Sequence, residues 1–522
     1  MRNGFVFGPN VCKIECGQVG VNSCGEKELR SESPSSTDKF DAGWKLENSY
    51  ARLPDVFFQE VDPAPVAAPE VCTWNQSLAS QLGLDLIDLP QSELARLLTG
   101  QRMPPGAKPI AQAYAGHQFG GFTMLGDGRA ILLGEQRTPT GELLDIQFKG
   151  AGRTPFSRGG DGRAALGPML RELIISESLA MLGIPTTRSL AVATTGEVVQ
   201  RETPLAGAIL TRVAASHLRV GTFQYAAARQ EIGNLQALVD YAIDRHDSDL
   251  VGHPKTYLEF FRRVMDRQAA LIAQWQQIGF IHGVMNTDNM TISGESIDFG
   301  PCAFMDHYDP DTVFSSIDHG GRYAYGNQPQ IGQWNLARFA ETLLTLIDDK
   351  AEAAVEMVTD VLKDYLPCYQ RYWMDGMRRK LGLQSEEEHD LEMIEGLLNW
   401  MQNANADFTV TFDHLSTKKL CDDRYQDGIF QTWYQRYSER CERDSLDSSS
   451  SEALMRSVNP SVIPRNHRVE EALAAVVSDN DLSVMNRLLT AMDSTYERDE
   501  KYAEYRSPPP TGLAPYRTFC GT

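Results

Sequence analysis

The feature that most limits the fold is a switch in periodicity: short apolar runs bounded by turn signals give way, beyond about Leu235, to helical spacing. Residues 122–125, 130–135 and 143–149 are such runs, separated by Gly126-Asp127-Gly128-Arg129 and by Thr138-Pro139-Thr140-Gly141. Both separators favour tight turns, so the region is expected to form an antiparallel meander. In the third run Leu144, Ile146 and Phe148 share one face and Asp145, Gln147 and Lys149 the other, since side chains alternate along a strand. Lys149 is expected to point away from the apolar side.

A Gly-rich loop follows at 150–162, then a helix over about 164–182 with Leu170, Leu173, Ile174 and Leu179 as its stripe and Gly183-Ile184-Pro185 as its stop. Residues 189–193, 198–201 and 207–213 read as strands. Upstream, 63–98 opens on a Pro-Ala-Pro turn and continues as short amphipathic helices. The helical second half is interrupted at 283–306, and 386–497 is acidic and helical, with Ser448 to Ser451 read as an exposed linker. No internal repeat is apparent. The expected class is α+β, with a strand-rich lobe followed by a helical lobe. The divisions are a loosely attached leader (1–40), a segment packing on the first lobe (41–120), the first lobe (121–235), the second lobe (236–385) and a helical extension (386–522).

The net charge of −21 over 522 residues argues against a nucleic-acid partner, and any polyanion must be met by a local basic cluster. No apolar run is long enough to span a bilayer. The first forty residues lack a signal-peptide core, and Glu26, Glu28 and Glu32 speak against a transit peptide. The nine cysteines are scattered without metal-ligand spacing, as unpaired thiols of a reducing compartment would be. A cytoplasmic monomer with no membrane contact is expected.

The segment His282-Gly283-Val284-Met285-Asn286-Thr287-Asp288-Asn289, followed after a short hydrophobic strand by Asp298-Phe299-Gly300, carries most of the chemistry. Asn289 and Asp298 can present oxygens to one hard cation, as the Mg²⁺ ligands of phosphoryl-transfer sites do. Lys149 on its strand and Glu172 on the next helix match the Lys–Glu pair of protein kinases, in the same order along the chain. Taken alone, Lys149 would more often be a solvated edge residue and Glu172 a solvated helix residue. Arg212 and Arg219 could clamp a triphosphate, or form surface salt bridges. The turns 126–129 and 160–163 both read Gly-Asp-Gly-Arg and could approach a phosphate or ribose, though each is also an ordinary turn sequence. Kinases carry an Asp base two residues after the loop His; here that residue is Val284, and Asp288 is the nearest replacement.

At these residues the chain resembles the selenoprotein O family of pseudokinase-like proteins. The resemblance runs through Asn48-Ser49-Tyr50-Ala51-Arg52-Leu53-Pro54, Gly116-His117-Gln118-Phe119-Gly120, the turn 125–129, Lys149-Gly150-Ala151-Gly152 and residues 157–164. It continues through Arg171-Glu172, residues 282–289, Asp298-Phe299-Gly300-Pro301, residues 321–325 and Asn327-Gln328-Pro329. Phe519-Cys520-Gly521-Thr522 ends the chain with Cys where animal members carry selenocysteine. The resemblance implies a protein-kinase-like two-lobed fold and transfer of AMP from ATP, bound in a flipped orientation, to Ser, Thr or Tyr hydroxyls of proteins, with Mg²⁺ or Mn²⁺. It implies Asp288 as base, Asn289 and Asp298 as metal ligands, Lys149, Arg212 and Arg219 on phosphates, and Glu172 orienting Lys149. Gly126, Gly128, Arg129, Asp161 and Gly162 would line the nucleotide pocket. Two departures stand out. Residues 165–170 replace a Ser-rich turn of many members. Where some members have a Cys able to pair with the C-terminal one, this chain has Val313 and Phe314, with Cys302 nearer the triplet. Transfer of γ-phosphate or UMP, or nucleotide binding without catalysis, are the alternatives.

Overall fold

A computed structural model describes residues 41–510, 512 and 516–518. The leader and Cys520 lie outside the described residues. The strands of the first half are β1 (Leu46–Glu47), β2 (Phe58–Glu60), β3 (Glu70–Trp74), β4 (Ile110–Gln112), β5 (Ala115–Gln118), β6 (Gly121–Met124), β7 (Ala130–Arg137), β8 (Leu143–Lys149), β9 (Ala164–Ala165), β10 (Arg188–Gln200) and β11 (Pro204–Ala214). Nine of them form one antiparallel sheet in the order β2-β4-β7-β8-β11-β10-β3, with β1 on β7 and β9 on β11. The helical second half completes a kinase-like α+β fold of two lobes.

The two faces of this sheet differ as the alternation in β8 requires. Ile146 and Phe148, with Ile131, Leu133, Ile209 and Val213, pack against the helices Gln76–Gln81 and Gln91–Leu98. The opposite face carries Gln147, Lys149 and Arg212, with Arg212 directly across from Gln147 in register. That face is covered by the helix Leu166–Met181, whose Leu170, Leu173, Ile174 and Leu179 belong to a core continuous with the helical lobe. The helical lobe is built on Thr256–Gln277 and Gln328–Ile347, which share a core with Phe223, Phe260, Phe261 and Phe339. Among the described residues, no helix is long and apolar enough to cross a membrane.

Several expectations are corrected. The run at 122–125 does not join the meander; β6 pairs only with β5, as a separate hairpin, and β7 takes β4 instead. Gly126-Asp127-Gly128-Arg129 is thus a crossing between two sheets. Asp127 anchors it by donating its N–H to the Gln112 carbonyl (2.8 Å) and accepting the Gln112 N–H (3.2 Å). Residues 70–74 form β3 ahead of the two helices. The runs at 189–193 and 198–201 fall in one strand, β10, whose pairing with β11 shifts register between Thr194 and Val198. Residues 291–297 make only isolated bridges, and the short strands flanking the loop are Phe280–Ile281 and Ala303–Phe304. Ser448 to Ser451 open the helix Ser448–Val458, because the Asp447 side chain caps it by accepting the Ser450 N–H (2.8 Å).

Candidate active site

A cavity of about 1020 Å³ lies between the sheet and the helical lobe, and most of the expected residues converge on it. Lys149 closes β8 with its ammonium 2.6 Å from Glu172 Oε2 and 2.6 Å from Asp298 Oδ1. Arg212 reaches the same Asp298 oxygen at 2.7 Å, Glu172 Oε1 at 3.3 Å and Gln147 Oε1 at 2.6 Å. Two cations and two carboxylates are therefore interlocked across about 150 residues of chain, and the helix Leu166–Met181 supplies one of the carboxylates. Burial alone would raise the Asp298 carboxyl, but Lys149, Arg212 and Arg219 outweigh it and hold it well below the usual range. Asp298 adopts φ +63°, a left-handed conformation unusual for a residue with a side chain, and Phe299 is buried behind it.

Arg219 precedes the helix Val220–Ala228 and lays its guanidinium 4.5 Å over the Tyr114 ring, with Asp127 at 3.9 Å. Arg212 and Arg219 both line the cavity, bringing two guanidinium groups to it beside Lys149. Asp288 sits in a single 3₁₀ turn, Thr287–Asn289, and burial pushes its carboxyl up to about 6. Val284, in the position of the kinase base, lines the same cavity.

The donor set suits a hard divalent cation. Asn289 uses its Nδ2 on the Val284 carbonyl (3.1 Å), leaving its amide oxygen unengaged, and Asp298 keeps Oδ2 without a hydrogen bond among the described residues. One carboxylate and one amide oxygen are ligand types that Mg²⁺ and Mn²⁺ accept.

A family profile described as "Protein adenylyltransferase SelO" matches residues 43–493. The chain belongs to the SelO family. It is 56% identical over 487 residues to a protein of Bacillus cytotoxicus named "Protein nucleotidyltransferase YdiU", covering 93% of this chain and 99% of that protein. Proteins of the same name from Geobacillus kaustophilus and Nitrosococcus oceani are 57% and 54% identical, over 92% and 94% of this chain and all of each relative. As a SelO member the chain is a nucleotidyltransferase.

Not every expected residue reaches the SelO cavity. Gly128 and Arg129 line it. Gly126 stands behind the lining with φ +137°, where a Cβ would meet the Phe156 ring at 2.4 Å. Asp161 and Gly162 lie away from the lining; Asp161 is held by Arg201 at 2.8 Å, and a Cβ on Gly162 would lie 2.1 Å from the Gly152 carbonyl oxygen. Sequence reasoning missed other lining residues. Asp127, Tyr114 and Gln118 stand inside or beside recognisable motifs, and their own chemistry was the available signal. The tail at 516–518 gave no signal at all. Tyr516 accepts from Arg171 (2.9 Å) and donates to Glu470 (2.5 Å), while the Thr518 N–H donates to the Phe314 carbonyl (2.8 Å).

Proposed function

We propose that this chain transfers AMP from ATP to Ser, Thr or Tyr hydroxyls of proteins and releases pyrophosphate. The observation that carries the reading is one cavity holding Lys149, two deeply buried arginines and Asp298, with Val284 where a kinase would carry its base. Lys149, Arg212 and Arg219 supply the local positive charge that a triphosphate needs in a chain of net charge −21. Glu172 fixes the Lys149 ammonium from the helix side. Asp288 takes the proton of the acceptor hydroxyl as its oxygen bonds to the α-phosphorus, and the bond from that phosphorus to the bridging β-phosphate oxygen breaks. A divalent cation held by Asn289 and Asp298 would add positive charge against the phosphate oxygens. The family description supports AMP as the fragment moved.

ATP labelled at the α or the γ phosphate separates the chemistries. Label entering protein only from the α position, and lost in Asp298→Ala, is the expected result. Label entering only from the γ position would make the chain a kinase and sink the proposal. The relatives carry the broader name nucleotidyltransferase, so α-labelled UTP belongs in the same experiment, and faster labelling from UTP would change the nucleotide assigned.

A further inference from the structure

The motif Gly116-His117-Gln118-Phe119-Gly120 has no role in the transfer as described, yet it builds the hairpin β5–β6 directly over the loop that holds Asp288. The inner side of the hairpin is held to this loop at three successive residues. His117 donates its N–H to Thr287 Oγ1 (2.7 Å), Phe119 its N–H to Asn286 Oδ1 (3.2 Å), and Gln118 its Nε2 to Asp288 Oδ2 (3.3 Å). A Cβ on Gly116 would lie 2.2 Å from Asp288 Oδ1, so only glycine permits this approach.

The outer edge of the hairpin has no such backbone contact among the described residues. Leu125 donates its N–H to the Tyr114 carbonyl, one step beyond the Ala115–Met124 pair. Antiparallel alternation then makes Ala115–Met124 and His117–Phe122 the pairs whose N–H and C=O groups point outward. His117 obeys this, since its outward N–H is the one that reaches Thr287. On the other edge, the outward backbone groups of Phe122 and Met124 have no partner among the described residues. Exposed edges are normally guarded by Lys, Pro, a bulge or a covering segment. Residues 120–124 read Gly-Gly-Phe-Thr-Met, without charge or proline, and Phe122 and Met124 are 46% and 44% exposed. Phe119 and Ile317 carry the exposed apolar surface on to the cavity that both of them line. Asp288 is only 7% exposed, so a hydroxyl can approach it only on a segment able to reach away from its parent fold.

We infer that the acceptor protein is captured as an extended segment that adds to the free edge of β6 as a third strand, pairing with Phe122 and Met124 and passing Phe119 toward Asp288. The inference rests on the transfer reading above. Main-chain pairing supplies the affinity and the apolar side chains a loose preference at alternate positions, so acceptors are selected for local extension rather than for a fixed sequence.

Dephosphorylated β-casein serves as an extended acceptor and ubiquitin as a compact one, with α-labelled ATP. Met124→Pro removes an outward N–H and leaves the hairpin's own bonds intact. It is expected to lower kcat/KM for casein by about tenfold, the loss of one backbone hydrogen bond, with the ATP dissociation constant unchanged. Phe122→Ser, which keeps the backbone, is expected to raise the casein KM with kcat held. Casein labelling unaltered in both variants, ATP affinity falling in parallel, or ubiquitin labelled as fast as casein would each overturn the edge. Hydrogen exchange at residues 122 and 124 reads binding without chemistry. Slowed exchange with casein but no AMP transfer would remove the transfer reading and keep the edge, whereas transfer without slowed exchange would remove the edge. Protection that grows with enzyme concentration alone would assign the edge to a second copy of the chain and overturn the proposal.

Discussion

The same four residues, Gly-Asp-Gly-Arg, occur at 126–129 and at 160–163, and the fold gives them different surroundings. In the first, Asp127 is 3% exposed beneath Arg219, bound by Gln112 and by Gln147 Nε2 (3.1 Å), and Gly128 and Arg129 face the cavity. In the second, the Asp161 side chain is 46% exposed and paired with Arg201, while Arg163 donates to the Pro65 carbonyl (2.6 Å) and pairs with Glu197 (2.9 Å). One turn is a wall of the site and the other pins a loop to the sheet. Local sequence sets what a turn can do; the partners that long-range folding delivers decide what it does.

The largest expected difference is in stability. Asp127→Ala strips acceptors from Gln112 and Gln147 and leaves Arg219 with one fewer carboxylate, and is expected to cost about 3 kcal/mol in urea unfolding. Asp161→Ala removes a largely solvated pair and is expected to cost about 1 kcal/mol or less. Equal losses would dissolve the contrast between the turns.

How much of this was legible follows the same division. The alternation in β8 placed Lys149 on the polar face because it depends on period alone, whereas Glu172 was found by its match, in chain order, to the kinase Lys–Glu pair. The pairing of β6 was not legible, since Gly126-Asp127-Gly128-Arg129 has the chemistry of a hairpin turn and only the contact with Gln112 makes it a crossing. Ser448 to Ser451 look like a linker until Asp447 is seen to cap them. The tail contact between Arg171 and Tyr516 joins residues 345 apart and has no local trace.

A second difference concerns the glycines. Gly162 has φ +70° and its Cβ would strike backbone, so Gly162→Ala is expected to destabilise by about 2 kcal/mol without changing ATP affinity. Gly128 has more room: a Cβ there would lie 3.1 Å from the Phe156 carbonyl oxygen, and the residue lines the cavity. Gly128→Ala is expected to weaken ATP binding by roughly fivefold, a shift near 1 kcal/mol, and to leave the urea midpoint close to wild type. Calorimetric titration with ATP beside urea unfolding reads both. The reverse pattern would mean that the second turn, not the first, serves the nucleotide.

The smallest effect is the most specific, because the two aspartates should differ in sign. Burial pushes Asp127 up to about 6, against the pull of Arg219 and Arg212. The folded state then holds this proton more tightly than the unfolded chain, whose Asp titrates near 3.9, so ionising Asp127 costs stability as pH rises from about 4 to about 6. Asp161 is lowered, chiefly by the hydrogen bond from Arg201. Its contribution is present above the unfolded value and is lost as pH falls below about 4, and it is small because the pair is solvated. Asp127→Asn should therefore gain on the wild type as pH rises from about 4 to about 6, while Asp161→Asn should run parallel to it there and gain only below about pH 4. Urea midpoints across about pH 3 to 7 distinguish the two, and a matching slope in both variants would show that the buried turn is solvated after all.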